Sequence, residues 1–172
     1  VRAVAVIGAD GVHSLVRELL LGPDNPIHKG RIAYRAVFPS SLMKHEIAPS
    51  RTKWWGEDRH IVIYYTTLTR SEVYFVTSVP EPAEWMTQES WSAKGDVREL
   101  RKAYEGFHEE VRMVLDACPD CHKWAILERE PLPRWSVGRV VLMGDACHPM
   151  TPYMAQGAAT SIEDAAVLAR AL

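Results

Sequence analysis

The chain has 172 residues, a formal charge of −2 and a hydrophobic fraction of 47%, values typical of a globular protein with a buried core. The charges form no long basic or acidic block, which argues against nucleic acid or an anionic membrane as the main partner. No apolar run approaches the roughly 20 residues that span a bilayer. Three cysteines are poor material for a disulfide scaffold, so we expect a reducing, cytoplasmic location.

The amino-terminal segment predicts a strand, a glycine-containing turn and a helix. The apolar run at residues 3–7 ends at Gly8 and indicates a buried, parallel strand. Apolar residues then recur at helical spacing until Gly22. Because the chain starts without Met inside this strand and stops inside a helix, we interpret it as an excerpt of a longer protein.

The middle of the chain predicts a mainly antiparallel sheet followed by helices. Three β-branched and aromatic segments, 30–39, 52–67 and 71–80, indicate three or four strands, with a hairpin turn at 57–59. The 96–117 segment is helical, with a break or bend at Gly106.

The last part of the chain predicts a return to the strand-and-helix pattern. We expect a strand at 123–130, a connector at 131–138 and a further strand at 139–145. The final helix covers 155–172, and its spacing places Ile162, Ala166 and Leu172 inward.

These elements predict an α+β or α/β protein in which one folding unit interrupts another. Residues 1–24 and 135–172 form parts of a Rossmann-like nucleotide-binding domain. Residues 25–134 form a separate domain with a mainly antiparallel sheet covered by helices.

The turn "GADGVHS" is the first candidate binding site. It contains Gly8, Asp10 and Gly11, and glycines there let a ligand approach the backbone at a helix N-terminus, where phosphate binds well. Asp10 could then accept from a ribose hydroxyl or orient an Arg. The alternative is structural: Asp10 caps the helix and Gly11 relieves strain.

The turn "GDACHPMTPYMAQGAA" is the second candidate binding site. Gly144 and Asp145 end a strand at the edge where open α/β sheets bind ligands, and the carboxylate suits a hydroxyl-bearing chain. Pro152 stiffens the loop. Gly157 leaves space for a flat ligand to reach the N–H groups of the next two residues, Ala158 and Ala159.

Both turns carry a family resemblance. "GADGVHSLVR" resembles the second fingerprint, and "GRVVLMGDACHPMTPYMAQGAATSIEDAAVLARAL" the ribityl fingerprint, of the flavin-dependent aromatic hydroxylases (class A monooxygenases), the family of salicylate and 4-hydroxybenzoate hydroxylases. The order of the motifs and their separation of roughly 130 residues also match. The stretches "KWW…DRHIVIYYTT" and "GDACHPM…MAQGA…IEDAA" resemble the 6-hydroxynicotinate type within that family.

The resemblance implies FAD as the cofactor. Asp145 would bind its ribityl hydroxyls, Pro152 would lie beside the flavin where oxygen reacts, and the backbone from Gly157 to Ala159 would face the pyrimidine end of the ring. Asp10 would lie near the pyrophosphate, in a turn also linked to the nicotinamide cofactor. We assign no metal ligand.

The resemblance also implies the reaction. NAD(P)H reduces FAD, O₂ adds to give a flavin hydroperoxide, and an electron-rich aromatic acid or phenol is hydroxylated. His60 and Tyr64 match substrate-facing positions of the 6-hydroxynicotinate type, and their i, i+4 spacing puts both on one strand face. His60 could be the base, because its unperturbed pKa lies near neutrality. A homo-oligomer stays open.

This chain departs from the family pattern at several points. The GxGxxG that would hold the ADP half of FAD is absent, so we expect weak or no FAD binding by these residues alone. Arg51, Thr151 and Tyr153 replace the Cys, Lys and His of the 6-hydroxynicotinate type. The ring that is hydroxylated, the choice of NADH or NADPH and any accompanying decarboxylation therefore stay open.

Other interpretations remain at this point. A family member with halogenase or reductase chemistry is one, and a stable, inactive domain is another. "CPDCH" (residues 118–122) also matches c-type haem attachment or a redox CxxC, although a helix-ending turn explains it equally simply. Cys147 and His148 form a candidate nucleophile pair, or else pack the loop, with His148 bonded near the flavin.

Overall fold

The computed structural model describes residues 3–81 and 93–172, so residues 82–92 of the predicted middle domain lie outside the described residues. The chain divides into two compact units. The split unit consists of Val1–Lys29 and Ile126–Leu172, and the β-rich unit consists of Gly30–Ala125.

A six-stranded sheet is the main feature of the β-rich unit. Its strands are β2 (Ile27–Pro39), β3 (Arg51–Trp55), β4 (His60–Tyr65), β5 (Glu72–Pro80), β6 (Lys94–Gly95) and β7 (Cys121–Glu128), of which β2 and β7 extend a few residues beyond the unit's bounds. The strand order is β3–β4–β5–β2–β7–β6, and the pairs β2–β5, β3–β4, β4–β5 and β6–β7 are antiparallel. A 3-10 turn at Ser40–Leu42 follows β2. The predicted antiparallel sheet is therefore confirmed.

Alternation along β4 shows why this sheet has two different faces. Ile61 and Ile63 are buried in the core, whereas His60, Val62 and Tyr64 point to the other face and are half-buried. The predicted hairpin turn between β3 and β4 is present, where the Gly56 N–H donates to the Arg59 carbonyl at 2.8 Å.

Two short helices complete the β-rich unit and follow the predicted break near Gly106. Helix α2 (Val97–Ala103) begins after the N-cap Asp96, and α3 (Glu109–Ala117) begins after the N-cap His108. The apolar residues on their shared face join the core: Leu100, Tyr104, Phe107, Val111, Val114 and Leu115. The predicted helical face is therefore confirmed.

The split unit contains a small mixed sheet and two helices. Strand β1 (Val6–Gly8) pairs parallel with β9 (Val140–Leu142), which pairs antiparallel with β8 (Ser136–Val137). Helix α1 (Leu15–Leu21) ends at Gly22, as predicted, and α4 covers Gly157–Ala171. Two 3-10 turns, Gly144–Ala146 and Pro152–Met154, lie between β9 and α4.

Three details of the split unit differ from the sequence predictions. The strand near the amino terminus is parallel but not buried, because Val6 and Ile7 are 45% and 43% exposed. Strand β8 lies in the segment predicted as a connector. In α4 the partly buried side is that of Ser161, Asp164 and Leu168, and the residues predicted to face inward are exposed: Ile162, Ala166 and Leu172.

Among residues 3–81 and 93–172, every helix is too short or too polar to cross a lipid bilayer.

Candidate functional site

The turn after β1 is built by two glycines and one carboxylate. Gly11 has φ +80°, which a side chain would strain. Gly8 has a different role, because a Cβ there would lie 2.8 Å from side-chain atoms of Leu142 and Val16. Gly8 therefore allows β1, β9 and α1 to pack closely, which is a structural reason for that glycine.

The Asp10 carboxylate is bonded within this turn. It accepts from the Ser14 hydroxyl at 2.5 Å and from the Val16 N–H at 3.2 Å. Partial burial raises the pKa of Asp10, but these hydrogen bonds outweigh it and the pKa lies below its ordinary value. Ser14 is the N-cap of α1 and accepts from the Arg17 N–H at 2.9 Å. Asp10 thus supports the helix start, which was the structural alternative, and its role toward a pyrophosphate stays a prediction.

A buried arginine connects the two candidate turns. The Arg17 guanidinium is 3% exposed and donates to the carbonyls of Val12 and Ala146, at 3.0 and 3.1 Å. Arg129 donates to the same Val12 carbonyl, and the Asp24 carboxylate lies against both arginines. Burial, followed by the neighbouring Arg129 charge, lowers the pKa of Arg17 from its ordinary value. Sequence reasoning missed this contact, since only tertiary structure brings Val12 and Ala146 together.

The turn after β9 presents Asp145 to solvent. Gly144 adopts φ +59°, and its carbonyl accepts from the N–H groups of Cys147 and His148, both at 2.9 Å. This closes the 3-10 turn around Asp145, whose side chain is exposed. An exposed carboxylate on a closed turn can accept hydrogen bonds from a ligand's hydroxyl groups.

The carboxylate of Asp164 on α4 bonds to this turn. One oxygen of Asp164, Oδ2, accepts from the Gly144 N–H at 2.8 Å and lies 2.6 Å from His148 Nε2. The Asp164 and His148 side chains are 14% and 18% exposed. The fingerprint "IEDAA" contains Asp164, but its chemical task could not be read from the sequence.

The candidate nucleophile pair Cys147–His148 is not supported. Cys147 is 2% exposed, and burial raises the pKa of its thiol to about 12, so it stays protonated at neutral pH. His148 Nε2 is engaged by Asp164 instead. Both residues pack the loop.

The loop and helix that follow give open access to backbone. Pro152 begins an exposed 3-10 turn. At Gly157, the first residue of α4, a Cβ would meet only Met150 Cγ, at 4.0 Å, and the preceding Gln156 makes no side-chain capping bond. The first N–H groups of a helix have no intrahelical acceptor, so those of Gly157, Ala158 and Ala159 suit an electron-rich ligand edge.

In the β-rich unit, His60 and Tyr64 share one sheet face. At about 3.3 Å per residue they lie roughly 13 Å apart along β4, with Val62 between them. The Tyr64 ring lies 4.8 Å from the Tyr74 ring, and the His60 ring lies 4.9 Å from Trp55. At this separation the two side chains lie at opposite ends of one strip of the sheet face, and they do not contact the same ligand atom.

The pKa of His60 in the fold differs from the unperturbed value on which its assignment as a base relied, and its role as a base stays a prediction. Burial first, and then the positive charges of Lys53 and Arg31, lower the pKa of His60 to about 4. The imidazole is thus neutral at pH 7 and can exchange hydrogen bonds, but it binds a proton weakly.

The same face carries cationic and aromatic groups on neighbouring strands. The Arg35 guanidinium lies over the Trp124 ring at 4.7 Å, and Arg35 pairs across the sheet with Val76. Arg51 pairs with Tyr64 at the edge strand β3 and is exposed. The face thus combines flat apolar surface with positive charge, which suits an aromatic anion.

The "CPDCH" segment has the structure of a turn entering a strand. Cys118 and Cys121 are 1% and 2% exposed, and burial raises the pKa of their thiols to about 12 and about 11. The Cys118 thiol bonds to the Asp120 carbonyl, while His122 is exposed on β7. Among the described residues, no three His, Cys, Asp or Glu side chains group as metal ligands. Thiols this buried disfavour haem attachment.

The comparison with known protein families agrees with the two glycine-containing turns and the two sheets described above. All residues, 1–172, match the model of the FAD binding domain family, and the chain belongs to that family.

Particular relatives narrow the comparison. The chain is 50% identical over 169 residues to 6-hydroxynicotinate 3-monooxygenase of Bordetella bronchiseptica, covering 98% of this chain and 44% of that protein. It is 37% identical to 3-hydroxybenzoate 6-hydroxylase of Polaromonas naphthalenivorans, covering 99% and 42%. A salicylate hydroxylase–substrate complex superposes with TM-score 0.79 at 26% identity, covering 94% and 43%. The chain therefore spans less than half the length of these relatives.

Sequence reasoning and structure divide the candidate residues in the same way. The cofactor candidates lie in the split unit: Gly8, Asp10, Gly11, Gly144, Asp145, Pro152, Gly157, Ala158 and Ala159. The substrate candidates His60 and Tyr64 lie in the β-rich unit. Arg17 and Asp164 are the residues that only the structure adds.

Proposed function

We propose that the protein is an FAD-dependent aromatic monooxygenase that uses NAD(P)H and O₂ to hydroxylate a small aromatic or N-heteroaromatic acid or phenol. The observation that carries the proposal is the FAD-binding family match over 1–172, with relatives at up to 50% identity that are named as such hydroxylases. The proposal concerns the whole protein that contains these residues, because the relatives are more than twice as long.

We assign residues 1–24 and 135–172 to a Rossmann-like FAD-binding domain, interrupted by a substrate domain at 25–134. The residues of the split unit fit such a cofactor. Asp145 is an exposed carboxylate for ribityl hydroxyls, and the open start of α4 at Gly157 offers N–H groups to the flavin's pyrimidine end. FAD would supply the redox chemistry between NAD(P)H, oxygen and the ring.

The β-rich unit would hold the aromatic substrate. The strip between His60 and Tyr64 offers ring faces for stacking and cationic side chains for a carboxylate or phenolate. With its pKa near 4, His60 would accept or donate a hydrogen bond as a neutral imidazole and so orient a ring hydroxyl. The nearby charges of Lys53 and Arg31 favour the anionic, electron-rich form of a phenol.

The test uses the longest natural protein product that contains these 172 residues. Candidate aromatic acids are added, and substrate-stimulated NAD(P)H oxidation is followed together with the hydroxylated product. Stimulated oxidation with stoichiometric product is the expected result. A protein that binds no flavin would overturn the proposal, and halogenated or merely reduced products would favour the alternative chemistries.

A second test separates the substrate role of His60 from ordinary strand packing. His60→Gln keeps a neutral hydrogen-bonding side chain, whereas His60→Ala removes it. We expect His60→Ala to raise KM for the aromatic acid about 10-fold, and His60→Gln to lie between it and the original protein. Unchanged kinetics in His60→Ala would remove His60 from the site.

We also propose a reducing, cytoplasmic location, on the strength of the free thiols of Cys118, Cys121 and Cys147.

A further inference from the structure

The side chain of Asp164 lies between two parts of the split unit that carry cofactor candidates, helix α4 and the turn that contains Asp145. It projects from the second turn of α4, whose first turn contains Gly157, and reaches the turn that presents Asp145. A single oxygen, Oδ2, contacts both Gly144 N and His148 Nε2. Gly144 and His148 flank Asp145, and we call residues 144–148 the Asp145 turn. Both ends of this turn are thereby bonded to the same oxygen atom of the helix.

The geometry also fixes the histidine ring. A carboxylate oxygen is only an acceptor, so the short contact requires that Nε2 carries the hydrogen. The other nitrogen, Nδ1, is buried and has no hydrogen-bond partner among the described residues. The Nε2–H form is therefore the one that these surroundings favour, and Asp164 selects it.

Other contacts also act on this turn, since Arg17 donates to the Ala146 carbonyl and the Gly144 carbonyl accepts from Cys147 and His148. Asp164 is the acceptor for the Gly144 N–H and the His148 ring. Gly144 has φ +59°, and glycine gives such a turn conformational freedom. Asp145, which follows directly, points to solvent. Without the Asp164 acceptor, the Gly144 N–H and the His148 ring would both lose their partner in a partly buried place.

We propose that Asp164 is a positioning residue for FAD, since its carboxylate ties the Asp145 turn and His148 to α4 and so sets the spacing between the ribityl-binding carboxylate and the helix N-terminus. The inference rests on the proposed function, because it assumes that both elements contact the same cofactor. Asp164 itself does not touch the cofactor in this assignment; it acts through Gly144 and His148.

Three variants test the proposal in the longest natural protein product. Asp164→Ala removes the acceptor, whereas Asp164→Asn keeps a carbonyl oxygen where Oδ2 lies. Glu163→Ala removes an exposed carboxylate one position earlier on the same helix. FAD affinity is measured by quenching of flavin fluorescence, and the His148 tautomer by ¹⁵N NMR of the ring nitrogens.

We expect Asp164→Ala to weaken FAD binding at least 10-fold, about 1.4 kcal/mol, and to give a mixture of His148 tautomers. The FAD affinity of Asp164→Asn should stay within about 3-fold of the original protein's, and His148 should keep the Nε2–H form. Glu163→Ala should match the original protein in both measurements.

A destabilised control separates positioning from general loss of structure. Leu168→Ala removes a partly buried apolar side chain one turn further along the same helix face. It should lower Tm without a comparable loss of FAD affinity. If Leu168→Ala weakens FAD binding as much as Asp164→Ala, or Asp164→Asn is as defective as Asp164→Ala, the proposal is overturned.

Failure of the proposed function would look different. An unsubstituted protein that binds no FAD would contradict the function itself, while a His148 tautomer that is unchanged in Asp164→Ala would contradict the inference alone.

Discussion

The two units of the chain differ in how well they bury their apolar surface. Every member of the main core cluster lies in the β-rich unit, where Phe75, Ile61 and Leu100 are fully buried. In the split unit, by contrast, Leu15, Leu19 and α4's Ile162 are 62%, 78% and 70% exposed. The β-rich unit therefore supplies most of the hydrophobic stabilisation, and the split unit depends more on polar contacts such as those of Arg17 and Asp164.

This difference matters because the split unit contains the cofactor candidates. Loops on such a unit need specific hydrogen bonds to keep one geometry, and buried arginine and aspartate side chains provide them.

The largest expected effect compares a buried residue of the β-rich unit with an exposed apolar residue of the split unit. Phe75→Ala should lower the free energy of unfolding by about 3–5 kcal/mol, because it leaves a cavity in the β-rich core. Leu19→Ala, on the exposed side of α1, should change it by less than about 0.5 kcal/mol. Denaturant unfolding of both variants measures the contrast, and equal losses would show that the split unit has a core of its own.

A smaller effect tests the polar support of the split unit. Arg17→Ala should lower the free energy of unfolding by about 2 kcal/mol, because it leaves the Ala146 carbonyl without its buried donor. Arg17→Lys should recover only part of this, since an ammonium cannot span the carbonyls of both Val12 and Ala146. Arg170→Ala, an exposed arginine of α4, is the control and should be neutral. Thermal unfolding gives the comparison, and a neutral Arg17→Ala would remove Arg17 as a support.

A glycine pair tests backbone strain in the same two units. Gly11→Ala should lower the free energy of unfolding by about 1 kcal/mol. Alanine is strained at φ +80°, although its Cβ would meet no atom within 4 Å. Gly106→Ala, in the β-rich unit, also meets no atom within 4 Å and carries no such strain, so it should be neutral or slightly stabilising. Chemical unfolding of the two variants decides whether the turn after β1 truly needs a left-handed residue.

A separate prediction concerns the pH dependence of stability. The His60 pKa is about 4 in the folded chain and near 6.5 when unfolded, so the unfolded state binds more protons between these values. The contribution of His60 to stability is thus fully present above pH 6.5 and is lost as pH falls toward 4. His60→Gln should flatten the pH dependence in this window by up to one proton. Equal slopes for the two proteins, from unfolding at pH 4–7, would contradict the lowered pKa.

Local sequence signals succeeded where local physics decides the outcome. Gly22 ends α1, the 57–59 turn joins β3 to β4, and the helix breaks near Gly106, because turn residues and helix breakers act on their own backbone. The two fingerprints also gave the family correctly, since a matching order of spaced motifs is far more specific than any single turn.

Features that depend on residues distant in sequence could not be predicted from local patterns. Periodicity placed Ile162 inward, but the side of α4 that carries Asp164 faces the Gly144 turn, where Asp164 accepts from the Gly144 N–H. The lowered pKa of His60 follows from burial and from the charges of Lys53 and Arg31, which act on it only in the folded sheet.

The sequence by itself determined the family, the alternation of elements and the candidate cofactor residues, because these follow from short-range patterns. Tertiary structure alone decided which face of α4 is partly buried, that Arg17 links Val12 to Ala146, and that the pKa of His60 is lowered. Each of these depends on burial or on a hydrogen bond between residues distant in sequence, and neither is encoded in any local pattern.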